Sequence, residues 1–226
     1  KNIYDGYNES NIHFLDIASD ENVVRPGLNF VPQKKVVFGS EQGDVLEGQK
    51  ASGTHPYIGE NFNDALFGGG GSDKLYGFGG NDYLEGGTGQ DVLAGGADDD
   101  TLIGGSGVDT YVINDGDGQD TIIDQGQNIL KINGEIFTGM FTRDEGTDSY
   151  TFTSDDGMAG RTYTLTFHSP GTLTIDESTS LVFANQTSAE DFADGQFGLT
   201  VWPNEAPTDF DLDLTGAEAT STSELI

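Results

Sequence analysis

The sequence predicts an all-β protein, in which a stack of short parallel strands is followed by a small antiparallel β domain. Three observations predict this fold class. A nine-residue repeat fills the middle of the chain, glycine and aspartate are concentrated in the same segment, and short β-branched or aromatic runs follow it. The repeat accounts for the parallel part and the short runs for the antiparallel part.

Composition excludes several classes of protein. The 226 residues include 34 Gly and no Cys, and the formal net charge is −30. Without cysteine there are no disulfide scaffolds, thiolate zinc sites or cysteine nucleophiles. The negative charge repels phosphate backbones and anionic lipid, and no apolar run reaches about 18 residues. We therefore expect no nucleic-acid partner and no membrane span, and we expect cations as partners.

The repeat lies in residues 59–124, which hold 12 of the 26 Asp, 18 of the 34 Gly and a single base, Lys74. Five units align without a gap, and they are GGGGSDKLY from Gly68, GFGGNDYLE from Gly77, GGTGQDVLA from Gly86, GGADDDTLI from Gly95 and GGSGVDTYV from Gly104. The sixth position is always Asp, and the eighth is Leu or Tyr. A disordered acidic linker would share the composition, but it would not place Leu or Tyr two residues after every Asp.

Weaker units flank these five. GENFNDALF from Gly59 keeps Asp64 and Leu66. Further upstream, GSEQGDVLE from Gly39 is separated from the array by 11 residues. Downstream, DGDGQDTII from Asp115 slips the register by two residues. We interpret the last two as the ends of the array.

Each unit has the chemistry of a turn followed by a strand. Glycine at positions one, two and four permits a tight turn that aims its carbonyls inward, and the next three residues form a strand with its middle side chain on one face. If two units make one right-handed coil, residues 18 apart stack on the same edge. The side chains expected inside the coils are Leu66, Leu75, Leu84, Leu93, Leu102, Tyr111 and Ile122. One edge then carries Asp73, Asp91 and Asp109, and the other carries Asp64, Asp82 and Asp100, with Asp120 near the end.

The pattern G-G-x-G-x-D-x-(Leu or aromatic)-x resembles the calcium-binding nonapeptide of the RTX (repeats-in-toxin) proteins that Gram-negative bacteria secrete. The resemblance covers residues 39–124 and implies a right-handed parallel β-roll with calcium bound in its turns. The ligands that it implies are Asp44, Asp64, Gly69, Gly71, Asp73, Gly80, Asp82, Gly87, Gly89, Asp91, Gly96, Asp98, Asp100, Gly105, Gly107, Asp109 and Asp120.

Physical chemistry independently favours calcium. Stacked carboxylates repel one another by about 1 to 4 kcal/mol per pair, and a divalent ion between coils reverses the sign. Calcium accepts six to eight oxygens in flexible geometry, whereas magnesium demands a small octahedron. Pairing the aspartates 18 residues apart gives about five Ca²⁺ sites. Asp98, which stands where the fourth position should be glycine, either adds a ligand or is a surface substitution.

The sequence as a whole predicts four segments. Residues 1–37 form an N-terminal cap or the tail of a preceding domain, 38–124 the roll, and 125–203 an antiparallel β cap. Residues 204–226 form a linker and the start of a following domain, because NEAPTDFDLDL resembles the entry to the cadherin-like or Ig-like domains strung in tandem in large bacterial surface proteins. Strands are expected at Ile129–Ile132, Tyr150–Thr153, Thr162–Phe167, Thr172–Ile175, Leu181–Ala184 and Leu199–Trp202. A helical turn is expected between Gln186 and Gly195, with Ser188 and Asp191 as a capping box.

No catalytic constellation is found. G-x-S-x-G, H-E-x-x-H, a Walker loop and a complete EF-hand are missing, and His13, His55 and His168 are far apart. We expect no catalytic residue and no enzyme activity. Two functions remain: a module of a large RTX adhesin, or the non-catalytic C-terminal module of a secreted hydrolase or toxin. The resemblance implies a monomer, exported by type I secretion machinery from a Gram-negative bacterium to the medium or cell surface, with neighbouring domains in a longer chain.

Overall fold

The computed structural model describes residues 12–16, 21–23, 34–48, 62–154, 161–167, 170–192 and 195–201. Its regular structure is β-strand apart from two short 3₁₀ segments, Ala189–Phe192 and Gln196–Gly198. The first twelve strands in chain order are β1 (Ile12–Asp16), β2 (Glu21–Val23), β3 (Lys34–Phe38), β4 (Val45–Glu47), β5 (Ala65–Gly70), β6 (Lys74–Gly79), β7 (Tyr83–Gly89), β8 (Val92–Ala97), β9 (Thr101–Gly107), β10 (Thr110–Ile113), β11 (Gln119–Ile122) and β12 (Ile129–Ile132). The predicted all-β fold is confirmed.

The repeat units alternate between two parallel sheets. One sheet contains the order β11-β9-β7-β5-β3, and the other contains β12-β10-β8-β6-β4. Leu66 pairs with Leu84 and Leu75 with Leu93, so neighbouring strands of a sheet are 18 residues apart. Two nonapeptides therefore make one coil, and the coils stack as the parallel β-roll that the repeat predicts.

The register survives irregular coils at both ends. Across the 11 extra residues, Leu46 pairs with Leu75 and Val37 with Leu66, a step of 29 in each sheet. At the other end, Leu102 pairs with Ile122, a step of 20 residues. In every case an apolar residue stays on the inner face, because a shift by one residue would turn the whole strand inside out.

The interior of the roll is a column of apolar side chains. The seven residues that the repeat predicts to be inside are all fully buried, and Leu46, Ile113 and Leu130 extend the column. Burial alternates along each strand, as in the intermediate–buried–intermediate–buried pattern of β10. Complete burial of each such side chain stabilises the fold by about 1.5 to 3 kcal/mol, so the coils are stable only as a stack.

The cap continues the sheet that contains β11, apart from its first strand, which pairs antiparallel with β12 in the other sheet. Its strands are β13 (Glu135–Ile136), β14 (Gly139–Arg143), β15 (Ser149–Thr153), β16 (Thr162–Phe167), β17 (Gly171–Thr174), β18 (Ser180–Phe183) and β19 (Leu199–Val201). Strands β14 to β18 form an antiparallel meander, and β18 then pairs in parallel with β11 of the roll. One cluster of buried residues runs from Val37 to Val201 through both parts.

Each strand segment expected after the array overlaps a strand of the structure. Three pairings differ from the antiparallel arrangement expected there, because Ile129–Ile132 pairs in parallel with β10, β18 with β11, and β19 with β14. The first difference arises because Leu130 and Ile132 extend the inner column of the roll by one more strand. Parallel pairing with the roll also includes β3, so together with β12 it extends beyond residues 38–124 at both ends. The division of the chain into domains stays a prediction.

The expected helical turn is a single 3₁₀ turn, Ala189–Phe192. Oδ2 of Asp191 accepts hydrogen bonds from the backbone N–H groups of Thr187 (2.8 Å) and Ser188 (2.9 Å). This is the return half of the predicted capping box.

Among the described residues, no helix is long and apolar enough to cross a membrane. Residues 204–226, most of residues 1–37 and the side chains of the three histidines lie outside the described residues.

Candidate metal centre

The sixth-position aspartates lie at the two edges of the roll, where each strand begins. Their carboxylates are almost completely removed from solvent, each at most 3% exposed, and they are Asp64, Asp73, Asp82, Asp91, Asp100, Asp109 and Asp120. Aspartate is seldom fully buried unless it is paired. A row of such residues therefore needs partners that compensate the lost hydration.

One oxygen of each carboxylate is used to join consecutive coils. Oδ1 of Asp82 accepts the backbone N–H of Asp64 (2.6 Å), Oδ1 of Asp91 accepts that of Asp73 (2.8 Å), and Oδ1 of Asp100 accepts that of Asp82 (2.7 Å). The same bond recurs along both edges, with Asp44, Asp91 and Asp100 as further donors. At the last coil Asn128 takes the acceptor position, with Oδ1 2.9 Å from the nitrogen of Asp109.

The second oxygen has no such partner. Among the described residues, Oδ2 is buried without a hydrogen-bond partner in Asp73, Asp82, Asp91, Asp100, Asp109 and Asp120. Leaving a buried polar atom unsatisfied costs about 1 to 3 kcal/mol, and more for a charged group. Six such atoms at equivalent positions are a repeated feature of the fold, and they indicate a ligand that is cationic.

The missing partner has a defined place beside the first glycine of most units. A Cβ added to Gly68 would lie 2.5 Å from Oδ2 of Asp73 and 2.5 Å from the carbonyl oxygen of Gly86, one coil further on. Five glycines face such a pair of a carboxylate oxygen and a carbonyl oxygen from the next coil, namely Gly39, Gly48, Gly68, Gly77 and Gly86. We call each such arrangement a cradle. In the cradles of Gly68, Gly77 and Gly86, no N–H or O–H among the described residues reaches the carboxylate oxygen, so these cradles suit a metal ion.

Position-one glycines are required for space and not for backbone conformation. Gly68, Gly77 and Gly86 do not have positive φ, whereas glycines at positions two and four do, as in Gly69 (φ 97°) and Gly71 (φ 101°). Only glycine avoids a Cβ that would meet the cradle oxygens. At positions two and four, glycine is needed because the turn requires positive φ.

The position-two and position-four glycines predicted as ligands lie in the stacked turns. Added Cβ atoms at Gly69, Gly80, Gly87 and Gly96 would all meet backbone of the preceding coil. The remaining predicted glycines, Gly71, Gly89, Gly105 and Gly107, are packed in the same way. Their lack of a side chain is thus explained by close stacking of the turns, and a ligand role for their carbonyls stays a prediction.

Asp98 and Asp44 differ from the buried row. Asp98 is exposed, has a left-handed backbone (φ 77°), and its Oδ2 accepts the N–H of Gly80 at 3.2 Å. Asp44 is partly buried, and its Oδ2 accepts the N–H (2.7 Å) and the hydroxyl (2.8 Å) of Ser40. Both stay predicted ligands, with more competition from the protein than the six unpartnered aspartates have.

Burial changes the protonation of the row. It raises the pKa of Asp82 and Asp120 to about 8 and that of Asp100 to about 7, with neighbouring carboxylates adding to the rise. Burial likewise raises the pKa of Asp109 to about 6, helped by the charge of Asp124. The pKa values of Asp73, Asp91 and Asp117 also rise, chiefly through burial. Without a cation, the carboxyl groups of the folded roll therefore hold protons more strongly than free carboxyl groups do, most of all at Asp82, Asp100 and Asp120.

The donor set fits calcium. In the part of the chain that the structure describes, no three His, Cys, Asp or Glu side chains are grouped closely enough to hold an ion by themselves. Each cradle instead offers a carboxylate with backbone carbonyl oxygens, which calcium accepts readily. Magnesium holds its waters more strongly and is satisfied less well by such a set. The ion would supply the positive charge that each buried Oδ2 lacks.

Four groups of the site were not predicted from the sequence. They are the carbonyls of the position-one glycines, the carboxylate of Asp124, the hydroxyl of Tyr111 and the side chain of Asn128, which ends the row of hydrogen bonds. The glycines carried a usable signal, because they are constant in all five units while the neighbouring positions vary. Asp124 and Asn128 carried none, since they lie beyond the last unit that keeps the nine-residue spacing.

These features define a calcium-binding parallel β-roll. The family model described as the RTX calcium-binding nonapeptide repeat, which contains four copies, matches residues 58–93 and 76–111. Residues 58–111 therefore match RTX nonapeptide repeats, a type of repeat that binds calcium.

A likeness also exists to the solution structure of the AlgE6R3 subunit of the mannuronan C5-epimerase from Azotobacter vinelandii. The sequences are 22% identical, and the match covers 90% of this chain and all of that one, with a TM-score of 0.24. A TM-score this low supports no inference about fold or function. None of the curated proteins is similar enough to this chain to count as a match.

Proposed function

We propose that the chain is a calcium-dependent folding module of a large secreted bacterial surface protein, an adhesin, and that it has no catalytic activity of its own. The observation that carries this proposal is the set of six buried Oδ2 atoms that have no hydrogen-bond partner among the described residues. They make the roll's stability depend on an ion that the chain itself cannot replace.

The charge of the array makes calcium a folding switch. Residues 59–124 contain 12 Asp and two Glu against one Lys, a charge of −13. About five calcium ions would add about ten positive charges. Because the sites do not exist in the unfolded chain, the free energy of binding becomes free energy of folding.

This switch suits export. Extracellular calcium modules bind at roughly 10⁻⁴ to 10⁻³ M, far above cytosolic calcium concentrations. The array would stay unfolded inside the cell, pass through a type I secretion channel, and fold outside, where it would stiffen the chain between neighbouring domains.

The adhesin context is supported by the segment NEAPTDFDLDL, residues 204–214, through its resemblance to the entry of a tandem cadherin-like or Ig-like domain. A module of a secreted hydrolase or toxin is the alternative. Sequencing of the parent gene tests the two directly: further tandem domains support the adhesin, and a G-x-S-x-G or H-E-x-x-H motif upstream would contradict it.

Calcium binding is tested by Asp91→Asn. The amide keeps an acceptor for the N–H of Asp73, as Asn128 does for Asp109, but it removes the charge of the unpartnered oxygen. Isothermal titration should show fewer bound ions and affinity at least about tenfold weaker at the affected sites. The matched control is Asp99→Asn, which removes the same charge from an exposed side chain. Equal calcium binding by wild type and Asp91→Asn would contradict the proposal.

A further inference from the structure

The last cradle of the array is built differently from those upstream. Five upstream glycines each face one carboxylate oxygen and one carbonyl oxygen from the next coil, and Gly95 faces the Asp100 side chain. A Cβ on Gly104 would instead meet Oδ2 of Asp109 (2.5 Å), the hydroxyl oxygen of Tyr111 (2.5 Å) and Oδ2 of Asp124. Two carboxylates from different coils and a phenol therefore converge at one point.

The end of the strand ladder explains the difference. Upstream, the N–H of Gly39 donates to the carbonyl of Phe67 (2.7 Å), and that of Gly48 to the carbonyl of Tyr76 (2.8 Å). Beside Gly104 the last ladder bond is from Ile123 N–H to the carbonyl of Leu102 (2.9 Å), after which the chain leaves the sheet. The Asp124 side chain then occupies the place that a backbone carbonyl has in other coils.

The hydroxyl of Tyr111 provides a hydrogen-bond acceptor for the backbone N–H of Gly104, where the strand ladder has ended. The hydroxyl accepts this N–H (2.8 Å) and donates to Oδ2 of Asp124. The other four gapless units have Leu at the eighth position, so the core needs only an apolar side chain there. The buried hydroxyl of Tyr111 is therefore present for the cradle and not for the core.

One oxygen of this cradle has no partner at all. Asp109 is 0% exposed, and its Oδ2 is buried without a hydrogen bond within the described part of the chain. The cradle also contacts the cap, because the ring of Tyr111 packs on Phe197 (5.7 Å between centroids). The carbonyl of Asp124 accepts a hydrogen bond from Nε2 of Gln186 (3.0 Å).

We propose that Gly104, Asp109, Tyr111 and Asp124 form a terminal divalent-cation site that fills before the upstream cradles. The proposal rests on the calcium binding proposed above. Calcium affinity rises with the number of charged ligands and with the rigidity of the site, and this site has two carboxylates where the others have one. Calcium would then occupy the sites in order from the cap end of the roll, and the junction between roll and cap would become ordered first.

Terbium luminescence tests this order on the whole chain. Tb³⁺ replaces calcium at oxygen sites, and a tyrosine must lie close to the ion to sensitise its emission. Excitation of tyrosine should give emission with the first equivalent of Tb³⁺, and Tyr111→Phe should abolish that early emission. Tyr76→Phe is the control, because Tyr76 lies on the outer face of β6 next to Phe78 and should leave the early emission unchanged.

Two carboxyl variants distinguish the terminal site from the general proposal that the roll binds calcium. Asp124→Asn should weaken binding of the first calcium about tenfold or more, whereas Asp73→Asn, in an upstream cradle, should affect only later ions. Equal effects of the two variants on the first calcium, or early emission that survives Tyr111→Phe, would overturn the terminal site and leave calcium binding intact. Failure of the wild-type chain to bind calcium would overturn both. If Asp124→Asn does not fold, Tyr111→Phe decides, since it keeps the buried ring.

Discussion

The two oxygens of each array aspartate have different roles, and this asymmetry is what makes the roll depend on a cation. Oδ1 accepts a backbone N–H from the preceding coil, while Oδ2 in six of these residues has no partner among the described residues. Asn128 shows the same asymmetry at the end of the ladder: Oδ1 is bonded, and Nδ2 is buried without a partner. A neutral amide there ends the row of charges without ending the row of hydrogen bonds.

Gly86→Ala is a direct test of a cradle. Gly86 does not have positive φ, so alanine fits the backbone, but its Cβ would meet Oδ2 of Asp91 and lie 2.7 Å from the carbonyl oxygen of Gly104. We expect at least about tenfold weaker calcium binding at this cradle, because the ligands must move apart. Calcium titration by calorimetry measures it.

The control is Gly134→Ala, at a position with left-handed backbone (φ 85°) and open space around the added methyl. It should lower stability by about 1 kcal/mol through backbone strain and leave calcium affinity unchanged. The cradle assignment would be wrong if Gly86→Ala bound calcium as tightly as the wild type.

At the scale of the elements, the edges of the two sheets predict an unusual pH dependence. The folded pKa values of Asp82, Asp100 and Asp120 are raised to about 8, 7 and 8 from the ordinary 3.8, mainly by burial. A raised pKa means that the folded state binds more protons than the unfolded state between pH 4 and 8. Protonation of these carboxyl groups therefore stabilises the fold. The contribution is complete below the pKa of the unfolded state and is lost as the pH rises through the pKa of the folded state.

The metal-free chain should therefore gain β structure as pH falls from about 8 to about 5, and its calcium affinity should fall over the same range because protons compete. Circular dichroism in chelator measures the first effect. Asp82→Asn should reduce the pH dependence, while Glu145→Gln, an exposed charge change in the cap, should not. Metal-free stability that rises with pH would contradict the burial of these carboxyls.

The elements also show what the sequence could and could not predict. The constant offset between the sixth and eighth positions sufficed to place Leu66, Leu93 and Ile122 inside, because an apolar residue two positions after each aspartate marks both the strand and its inner face, even in the slipped last unit. The parallel pairing of β18 with β11 was not predictable, since it joins residues about 60 apart without a shared repeat. Nor could the pattern separate a glycine needed for φ from one needed for space.

At the scale of the whole molecule, roll and cap form one structure. The parallel pairing of β11 with β18 and the common buried cluster make the last coil the base on which the cap is built. Outside this sheet, Arg161 makes a bidentate ion pair with Asp115, with distances of 2.5 and 2.7 Å, and holds the pKa of Asp115 at about 2. Loss of calcium from the roll should therefore loosen the cap as well.

Arg161→Gln tests the junction. The pair is partly exposed, so its removal should cost no more than about 1 kcal/mol of stability, measured by urea unfolding in saturating calcium. Arg143→Gln breaks the more exposed pair with Asp148 within the cap and should cost less. An equal or larger effect of Arg143→Gln would show that the Arg161 pair does not stabilise the junction.

The most direct test of the calcium switch is circular dichroism of the chain at neutral pH during a calcium titration, with magnesium as the control. The account predicts little β signal from the array in excess chelator, and cooperative recovery at roughly 10⁻⁴ to 10⁻³ M calcium. Magnesium at the same concentrations should restore much less of the signal. A β signal already complete in chelator, or equal recovery with magnesium, would contradict the claim that calcium folds this roll.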